Sequence, residues 1–263
     1  MLKLLGSGSF GKVVLAKHVN NNVQVAIKVV DKATTEESFS THNSSFQEIS
    51  IMEQVSAANS ANCINLIESF EDEENWYIVS NLMNVGSLFN YWKNLKTQPL
   101  SEEHASEIIS QIATGIQSLH SQNIIHRDIK IDNILVNTKQ GESTFYVADY
   151  GSAAKLESRD EKCKYMIGTR GYVAPEILTG KAYDMSCDIW SLGCIMHALL
   201  TARLPFQDSD MSKMDKRVVR ESFDCSSLEN MSDEAKSLLN GMLAKNSCDR
   251  PSIEQVLAHN WLN

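Results

Sequence analysis

The sequence predicts an α+β protein with a small antiparallel β-sheet followed by a larger, mainly helical part. Up to about residue 86, short runs of alternating apolar and polar residues are separated by turn residues. From about residue 87 onward, longer segments show the spacing of amphipathic or buried helices. No proline- or glycine-rich linker separates the two parts, so we expect two lobes that share a cleft.

The first part is expected to contain five strands and one helix. Three antiparallel strands, with a glycine turn after the first, are predicted at LKLL, KVVLAKHV and VQVAIKVVDK. A polar segment then leads into FQEISIMEQVSA, where Phe46, Ile49, Ile51, Met52 and Val55 lie roughly at helical spacing. The segment INLIESFEDEENWYIVSNL predicts two further strands around an acidic turn.

The second part is expected to contain long helices. They are predicted at SLFNYWKNL, EEHASEIISQIATGIQSLHSQN, SCDIWSLGCIMHALLTA and SDEAKSLLNGML. Between the second and third lies IIHRDIKIDNILV, residues 124–136, whose apolar ends predict short buried strands. A packed core does not accept unpaired charge, so its charged middle is either a paired ion network or a functional site.

Charge and composition restrict the function. The 263 residues, 43% of them hydrophobic, suffice for one large domain or for two lobes with separate cores, and the net charge of −9 argues against a general nucleic-acid-binding surface. Six cysteines without a CxxC pair predict neither a zinc cage nor a disulfide framework, so we expect reduced thiols. The first residues lack the features of a secretory signal, and the longest apolar stretch, residues 189–200, is too short to cross a bilayer.

Two motifs of the first part suggest a phosphate site. GSGSFGKV, residues 6–13, is a G-x-G-x-x-G run that lets the backbone approach phosphates, although alone it is as often an ordinary tight turn. A Rossmann fingerprint would open a helix, whereas this run opens a strand. Lys28 ends VAIK and by itself is as readily a lysine of an edge strand; Glu48, on the predicted helix, would be the partner that lets it face phosphates.

The charged middle of residues 124–136 offers the groups for phosphate transfer. Asn133 and Asp149 carry hard oxygen ligands suited to magnesium that bridges phosphates. Asp128 would then accept a hydroxyl proton, with Lys130 beside the transferring group. The alternative for these residues is a surface ion network.

In this order, the motifs GSGSFGKV, VAIK, Glu48, HRDIKIDN, DYG and APE resemble the eukaryotic serine/threonine protein kinase catalytic domain over nearly the whole chain. The resemblance implies the two-lobed protein kinase fold over residues 1–263. Residues 1–83 would form the N-lobe with the ATP-binding sheet and hinge, and residues 84–263 the C-lobe with the catalytic loop and activation segment. Several segments, among them RPSIEQVLAHNWL, are most like the calcium/calmodulin-dependent (CAMK) and AMP-activated kinase group.

The resemblance also implies ATP- and Mg²⁺-dependent transfer to protein serine and threonine hydroxyls. Asp128, Lys130 and Asn133 would be catalytic together with the pair Lys28 and Glu48, and Asn133 and Asp149 would bind the metal. The nucleotide would contact residues of the sheet, the hinge and the C-lobe. These are Leu5, Gly6, Ser7, Gly8, Gly11, Val13, Ala26, Lys28, Ser80, Asn81, Met83, Leu135 and Asp149.

Further residues would support the site. Arg127 would read the state of the activation segment, residues 149–176, while Glu176 would pair with Arg250 and Asp188 would anchor the catalytic loop. Thr169 would bond to the base and the lysine. Tyr165 stands where many relatives carry a phosphorylated threonine, so the segment is either modified there or ordered without modification; Ser158 is a second candidate.

The sequence departs from the family pattern at four places. Tyr150 replaces the phenylalanine of DFG and needs a partner for its hydroxyl, and Ile131 replaces a proline of the catalytic loop. Ser80 is small for the gatekeeper position. Ser87 stands where basophilic members carry an acid, which leaves only Asp132 and keeps the preference for basic substrates open.

Other functions remain possible from the sequence. A pseudokinase or nucleotide-binding signalling scaffold would lack transfer, but Lys28, Asp128 and Asp149 are all present. Small-molecule kinases that share the core usually lack the APE segment, which is present. We expect protein substrates, no nucleic acid, no membrane segment, an upstream activating kinase or regulatory subunit, and a cytoplasmic location with the nucleus as a second compartment.

Overall fold

The computed structural model describes residues 3–8, 11–33, 45–95, 99–223 and 228–263. It has the two expected parts: a five-stranded antiparallel sheet with one helix, and a mainly helical region. Residues 82–85, which are neither helix nor strand, connect them. Within the described ranges, no helix is both long and apolar enough to span a bilayer.

The sheet of the N-lobe has the strand order β1-β2-β3-β5-β4. Its strands are β1 (Lys3–Gly8), β2 (Gly11–Lys17), β3 (Gln24–Asp31), β4 (Leu66–Glu71) and β5 (Asn75–Asn81). All five were predicted, but the predicted glycine turn after LKLL is wrong in extent. Strand β1 continues to Gly8, which pairs with Gly11 of β2, because pairing with β2 satisfies the backbone groups of the glycines.

Helix α1 (Ser45–Ala57) contacts the edge strand β4 and the turn that follows Asp149. Ile49, Met52 and Val55 are buried as their spacing predicts, and Ile51 is buried as well. Phe46 does not belong to this buried face, since 71% of it is exposed in the first turn. One large hydrophobic cluster runs from α1 through the helices of the C-lobe, so the lobes share most of their core and do not have two separate ones. A second, small cluster of Ala16, Val25 and Val79 lies within the sheet.

In its described residues, the helical lobe contains the four predicted helices and three that were not predicted. The predicted ones are α2 (Leu88–Lys93), α3 (Glu102–His120), α5 (Ser186–Thr201) and α7 (Asp233–Met242). The others are α4 (Pro175–Leu178), α6 (Met211–Arg220) and α8 (Ile253–Leu257). Helix α6 escaped prediction because it is mostly polar and buries only Met214 and Val218, one turn apart.

Helix ends and burial follow local rules. Ser101 caps α3 by accepting the amide of His104, and two glutamates occupy the first turn. Helix α5 is buried along almost its whole length, as expected for the apolar stretch of residues 189–200. It therefore forms the central element to which the catalytic loop can be attached.

Short strands bracket the catalytic loop. Strand β7 (Ile124–Ile125) pairs with β10 (Ala154–Lys155), and β8 (Ile134–Lys139) pairs with β9 (Glu142–Val147) and β6 (Gly86–Ser87). The loop between β7 and β8 is thereby held at both ends, and Asp149 follows β9 beside it.

The cysteines agree with the predicted reduced state where they are described. No disulfide joins Cys63, Cys163, Cys187, Cys194 and Cys248. Cys225 lies outside the described residues.

Candidate active site

Lys28 lies at the centre of a three-residue ion cluster. Its Nζ is 2.7 and 2.9 Å from the two carboxylate oxygens of Glu48 and 2.7 Å from Oδ1 of Asp149. The predicted pair of Lys28 with Glu48 is thus present. Burial lowers the pKa of Lys28, but the two carboxylates outweigh it and hold that pKa above its ordinary value of 10.5. The ammonium is therefore charged and fixed in position.

The position of Lys28 in the sheet explains why it needs these partners. Strand β3 pairs on one side with β2 and on the other with β5, where Lys28 lies opposite Val13 and Ile78. The lysine is therefore not on an edge strand, which was the alternative interpretation. Because its side chain is mostly buried, only paired carboxylates make its charge tolerable.

Asp149 leaves strand β9 in a strained conformation. Its φ is 62° and ψ 78°, in the left-handed region that an aspartate tolerates better than most residues. Burial is the largest single influence and raises the pKa of its carboxyl, but the charge and hydrogen bond of Lys28, together with weaker contributions from His126 and the amide of Gly151, hold that pKa below its ordinary 3.8. The ionised carboxylate is thus directed at the lysine across the cleft.

Tyr150, the residue after Asp149, is packed into the hydrophobic core. Its side chain is buried and its ring lies 5.8 Å from the ring of His126. The hydroxyl donates to the carbonyls of Val147 at 3.1 Å and Ile64 at 3.3 Å. The tyrosine therefore has the hydroxyl partner that the departure from phenylalanine requires.

The carboxylate of Asp128 is surrounded by three donors. Oδ2 accepts hydrogen bonds from Lys130 Nζ at 2.8 Å and from Asn133 Nδ2 at 3.0 Å, and Oδ1 accepts one from Thr169 Oγ1 at 2.7 Å. Lys130 Nζ also donates to Thr169 Oγ1 at 2.7 Å. A hydroxyl can therefore bridge the carboxylate of Asp128 and the ammonium of Lys130. Asp128 and Asn133 are buried, so these residues do not form the surface ion network that was the alternative interpretation.

Asp188 of α5 anchors the catalytic loop from below. Its carboxylate accepts the backbone amides of His126 and Arg127, each at 2.9 Å, and approaches His120 Nε2 at 2.9 Å. Burial is the largest single influence and raises the pKa of Asp188, yet the contacts with His120 and His126 together keep that pKa below 3.8. The loop is thus fixed at two consecutive amides, and the predicted anchor is present.

Glu176 and Arg250 form the predicted buried pair. Arg250 Nη1 and Nη2 donate to the two carboxylate oxygens of Glu176 at 2.6 and 2.7 Å, in a bidentate geometry. Arg250 Nε also donates to the carbonyl of Ala244 at 2.9 Å. This pair fixes helix α4, which ends the activation segment.

Contacts of unmodified residues order the activation segment. Arg127 Nε donates to the carbonyl of Ser152 at 2.5 Å, and Nη2 donates to that of Ala153 at 3.2 Å. Further along, Cys163 and Tyr183 exchange two backbone hydrogen bonds of 2.7 and 2.9 Å. Arg127 therefore bonds to the start of the segment it was expected to read, while phosphorylation of Tyr165 or Ser158 stays a prediction.

The residues predicted to contact the nucleotide lie on strands of the sheet, on the connection after β5 and on β8. Ala26 of β3 lies opposite Ser80 of β5, and Leu135 of β8 lies opposite Ser87 of β6. The remaining predicted contacts lie on β1, β2 and β5 or on the connection that follows β5. They are Leu5, Gly6, Ser7 and Gly8 on β1, Gly11 and Val13 on β2, Asn81 at the end of β5, and Met83 just after it.

Two glycines of the G-x-G-x-x-G run are glycine for different reasons. Gly11 has φ 124°, and a Cβ there would lie 2.3 Å from the carbonyl oxygen of Val29, so the sheet itself requires glycine. A Cβ at Gly6 would meet nothing within 4 Å. Protein packing therefore does not explain Gly6, whereas close approach of a phosphate would. Residues 9–10 of the run lie outside the described residues.

The oxygen ligands fit a magnesium ion that is shared with phosphates. Asn133 directs its amide nitrogen at Asp128, with 2.9 Å to the carbonyl and 3.0 Å to the carboxylate, so its amide oxygen points away from the base. Asp149 supplies a carboxylate that stays ionised. The described part of the chain has no cluster of three or more His, Cys, Asp or Glu side chains suited to a metal. Two protein oxygens completed by phosphates and water are typical of Mg²⁺.

Two supporting residues escaped sequence reasoning. His120 closes the last turn of α3 and bonds to Asp188, and His126 Nε2 lies 3.0 Å from the carbonyl of Ala148. Both histidines are buried. A polar residue at a position whose spacing predicts burial was the available signal.

The chain is similar over its whole length to proteins of known family. The model of the protein kinase domain matches residues 1–262. Calcium-dependent protein kinase 4 of Plasmodium berghei is 35% identical over 264 residues, 99% of this chain and 48% of that protein. Calcium-dependent protein kinase 5 of Plasmodium falciparum is 38% identical over 261 residues, 98% of this chain and 44% of that protein. Serine/threonine-protein kinase PLK4 of Xenopus laevis is 32% identical over 269 residues, which are 100% of this chain and 27% of that protein. The chain thus spans less than half the length of these relatives.

Proposed function

Because the chain belongs to the protein kinase family, we propose that it transfers the γ-phosphate of ATP to serine and threonine hydroxyls of proteins, with Mg²⁺ as cofactor. One observation carries this proposal: the two halves of the site are assembled together. Lys28 contacts both Glu48 and Asp149, while Asp128 contacts Lys130, Asn133 and Thr169.

The contacts support a task for each residue. Lys28, held by two carboxylates, would bind the α- and β-phosphates, and Asn133 and Asp149 would hold the metal. ATP and Mg²⁺ supply the phosphoryl group and the charge that neutralises it. Asp128 would orient the target hydroxyl and accept its proton, at the place where the hydroxyl of Thr169 now bonds. Lys130 would neutralise charge on the transferring group.

Specificity for serine and threonine over tyrosine is supported by two residues and by the relatives. Lys130 lies two residues after the base, and it bonds to Thr169 of the segment GTRGYVAPE. The relatives named above include a serine/threonine-protein kinase. The pseudokinase and scaffold alternatives lose support, because Lys28, Asp128 and Asp149 are all present and paired as activity requires.

Phosphate transfer from labelled ATP tests the proposal directly. We expect the wild-type chain with Mg²⁺ to label an acidic protein such as casein or a basic one such as myelin basic protein. Acid hydrolysis should then yield phosphoserine and phosphothreonine without phosphotyrosine. Replacing Lys28 by methionine should reduce labelling by about a hundredfold or more, because the phosphates lose their cation. A wild-type chain that binds ATP but labels neither protein would contradict the proposal.

Ser80 predicts an open space behind the adenine site. It lies on β5 opposite Ala26 and Leu66, and its small side chain leaves room that a larger residue would fill. We expect bulky purine-like inhibitors to lose at least about tenfold in potency against Ser80→Met, because the longer side chain occupies that space. ATP affinity, measured in parallel, should change much less. Unchanged inhibitor potency would show that Ser80 is not the gatekeeper.

Regulation and location are also proposals. We propose that an upstream kinase or a regulatory subunit controls the enzyme, and the exposure of Tyr165 and Ser158 on the activation segment supports this. We further propose a cytoplasmic or nuclear location, in keeping with five described cysteines that form no disulfide.

A further inference from the structure

The turn formed by residues 168–172, here called the acceptor turn, lies directly beside the place of the target hydroxyl. Its Thr169 Oγ1 is 2.7 Å from Asp128 Oδ1 and 2.7 Å from Lys130 Nζ. A substrate hydroxyl must reach this same carboxylate in order to give up its proton. Residues next to the target serine or threonine must therefore pass over the acceptor turn.

The backbone of the acceptor turn is rigid. Gly168 and Gly171 have φ values of 123° and 91°, and a Cβ at Gly168 would lie 2.9 Å from the carbonyl oxygen of Arg127. The amide of Tyr172 donates to the carbonyl of Thr169 at 3.0 Å, and the hydroxyl of Ser191 on α5 donates to the carbonyl of Tyr172 at 2.9 Å. Arg170, which directly follows Thr169 and precedes Gly171, is thus held on a fixed backbone beside the base.

Arg170 has a side chain that is available to a ligand. It is 54% exposed, and its Nε is 3.5 Å from Oδ2 of Asp215 on α6. Among the described residues, Asp215 is its only carboxylate partner within ion-pair distance. A guanidinium has five donors, and an exposed ion pair of this length is weak. A carboxylate or phosphate of a bound substrate can therefore replace Asp215 at little cost.

The surroundings of Arg170 are basic although the chain carries a net charge of −9. Residues 162–175 include Lys162, Lys164 and Arg170 and no acidic residue. Helix α6 borders the acceptor turn, since Met214 lies within about 4 Å of the Cβ position of Gly171. That helix carries four basic residues and Asp215 as its one acid. Although Lys162 and Arg217 are paired with acids, the local field favours a negatively charged ligand.

We propose that Arg170 selects protein substrates that carry an acidic or phosphorylated residue immediately next to the target serine or threonine. Arg170 would leave Asp215 and donate two hydrogen bonds to the incoming carboxylate or phosphate. It is a specificity-determining residue and takes no part in the transfer itself. The inference rests on the proposed function, and it gives that function a substrate class opposite to the basic one that Asp132 alone would favour.

Matched peptides test this assignment. A neutral reference peptide contains one serine, and its variants carry glutamate, glutamine, phosphoserine or arginine at the position directly after or directly before that serine. For the wild-type chain, at the better of the two positions, we expect kcat/KM about threefold higher for glutamate than for glutamine, and about tenfold higher for phosphoserine. The arginine peptide should be poorer than the glutamine peptide. A preference confined to phosphoserine would identify phosphate, rather than carboxylate, as the recognised group.

Variants of the chain separate recognition from general damage. In Arg170→Gln the preference for glutamate and phosphoserine should fall to within about twofold of unity, whereas Arg170→Lys should keep part of the preference for phosphoserine. Asp215→Asn should strengthen the preference, because Arg170 loses its competitor. Arg159→Gln is the matched control: Arg159 is an exposed arginine of the same segment, 3.3 Å from Glu254, and its loss should leave the preference unchanged.

Two results would overturn the inference in distinguishable ways. If the wild-type chain phosphorylates the peptides but Arg170→Gln shows the same ratios, Arg170 does not set specificity while the proposed function stands. If the wild-type chain phosphorylates none of the peptides and no protein substrate, both the proposed function and the inference fail. The unfolding temperature of Arg170→Gln is measured as well, and a value equal to that of the wild-type chain shows that the variant is folded.

Discussion

Replacing Asp128 by asparagine is expected to reduce phosphate transfer by about a thousandfold, within the range that loss of a general base costs. The asparagine has the size of the aspartate and keeps one acceptor oxygen, so the hydrogen bond from Thr169 or the one from Asn133 can persist. What is lost is the negative charge that accepts a proton and that attracts Lys130 at 2.8 Å. Transfer from labelled ATP to a protein substrate, measured beside the wild-type chain, reports the change.

The matched control for Asp128→Asn is Asp132→Asn on the same loop. Asp132 is exposed, whereas Asp128 is buried, so removal of the second charge should change kcat by less than about threefold. ATP binding should survive in both variants, because the proposed nucleotide contacts are made by Lys28 and the sheet and do not include Asp128. Equal activity of Asp128→Asn and wild type would exclude Asp128 as the base.

The fold and the central site could be predicted because the task of each position permits only a few residue types. A proton acceptor beside a lysine, or a lysine with a glutamate to neutralise it, restricts the residue types and their order along the chain. This is why the contacts of Asp128 and Lys28 follow the sequence motifs. The alternating strands of the N-lobe were visible for a similar reason, since half-buried strands demand that alternation.

The features that escaped prediction depend on contacts between distant segments. Arg170 appears in the sequence as one basic residue of a loop, and its approach to Asp215 depends on helix α6, whose polar composition gives little signal. Phe46 has helical spacing with its neighbours, but whether the first turn of α1 is covered depends on what packs there. Specificity therefore has to be inferred from the structure, although the chemistry can be inferred from the motifs.

Asp188→Asn is expected to lower the free energy of unfolding by about 3 kcal/mol, because it breaks a buried charged network. The wild-type carboxylate accepts the amides of His126 and Arg127 and pairs with His120. An asparagine keeps one acceptor oxygen and turns an amide group toward a donor, which leaves a buried donor without a partner. Chemical denaturation measures the loss, and Asp160→Asn, an exposed carboxylate of the activation segment, is the control that should stay within about 0.5 kcal/mol of wild type.

The pH dependence of stability distinguishes this carboxylate from a merely well-packed residue. Its pKa in the folded chain lies below the ordinary 3.8, so the unfolded chain takes up the proton first as the pH falls. The stabilisation by Asp188 is therefore complete above about pH 4 and is lost as the pH falls below it, through the folded pKa. Asp188→Asn should lose less stability than wild type over that interval, and a parallel acid dependence of the two chains would show that the carboxylate is not the source of the stabilisation. Transfer should fall together with stability in this variant, because the same two amides that Asp188 holds fix the loop on which Asp128 is presented.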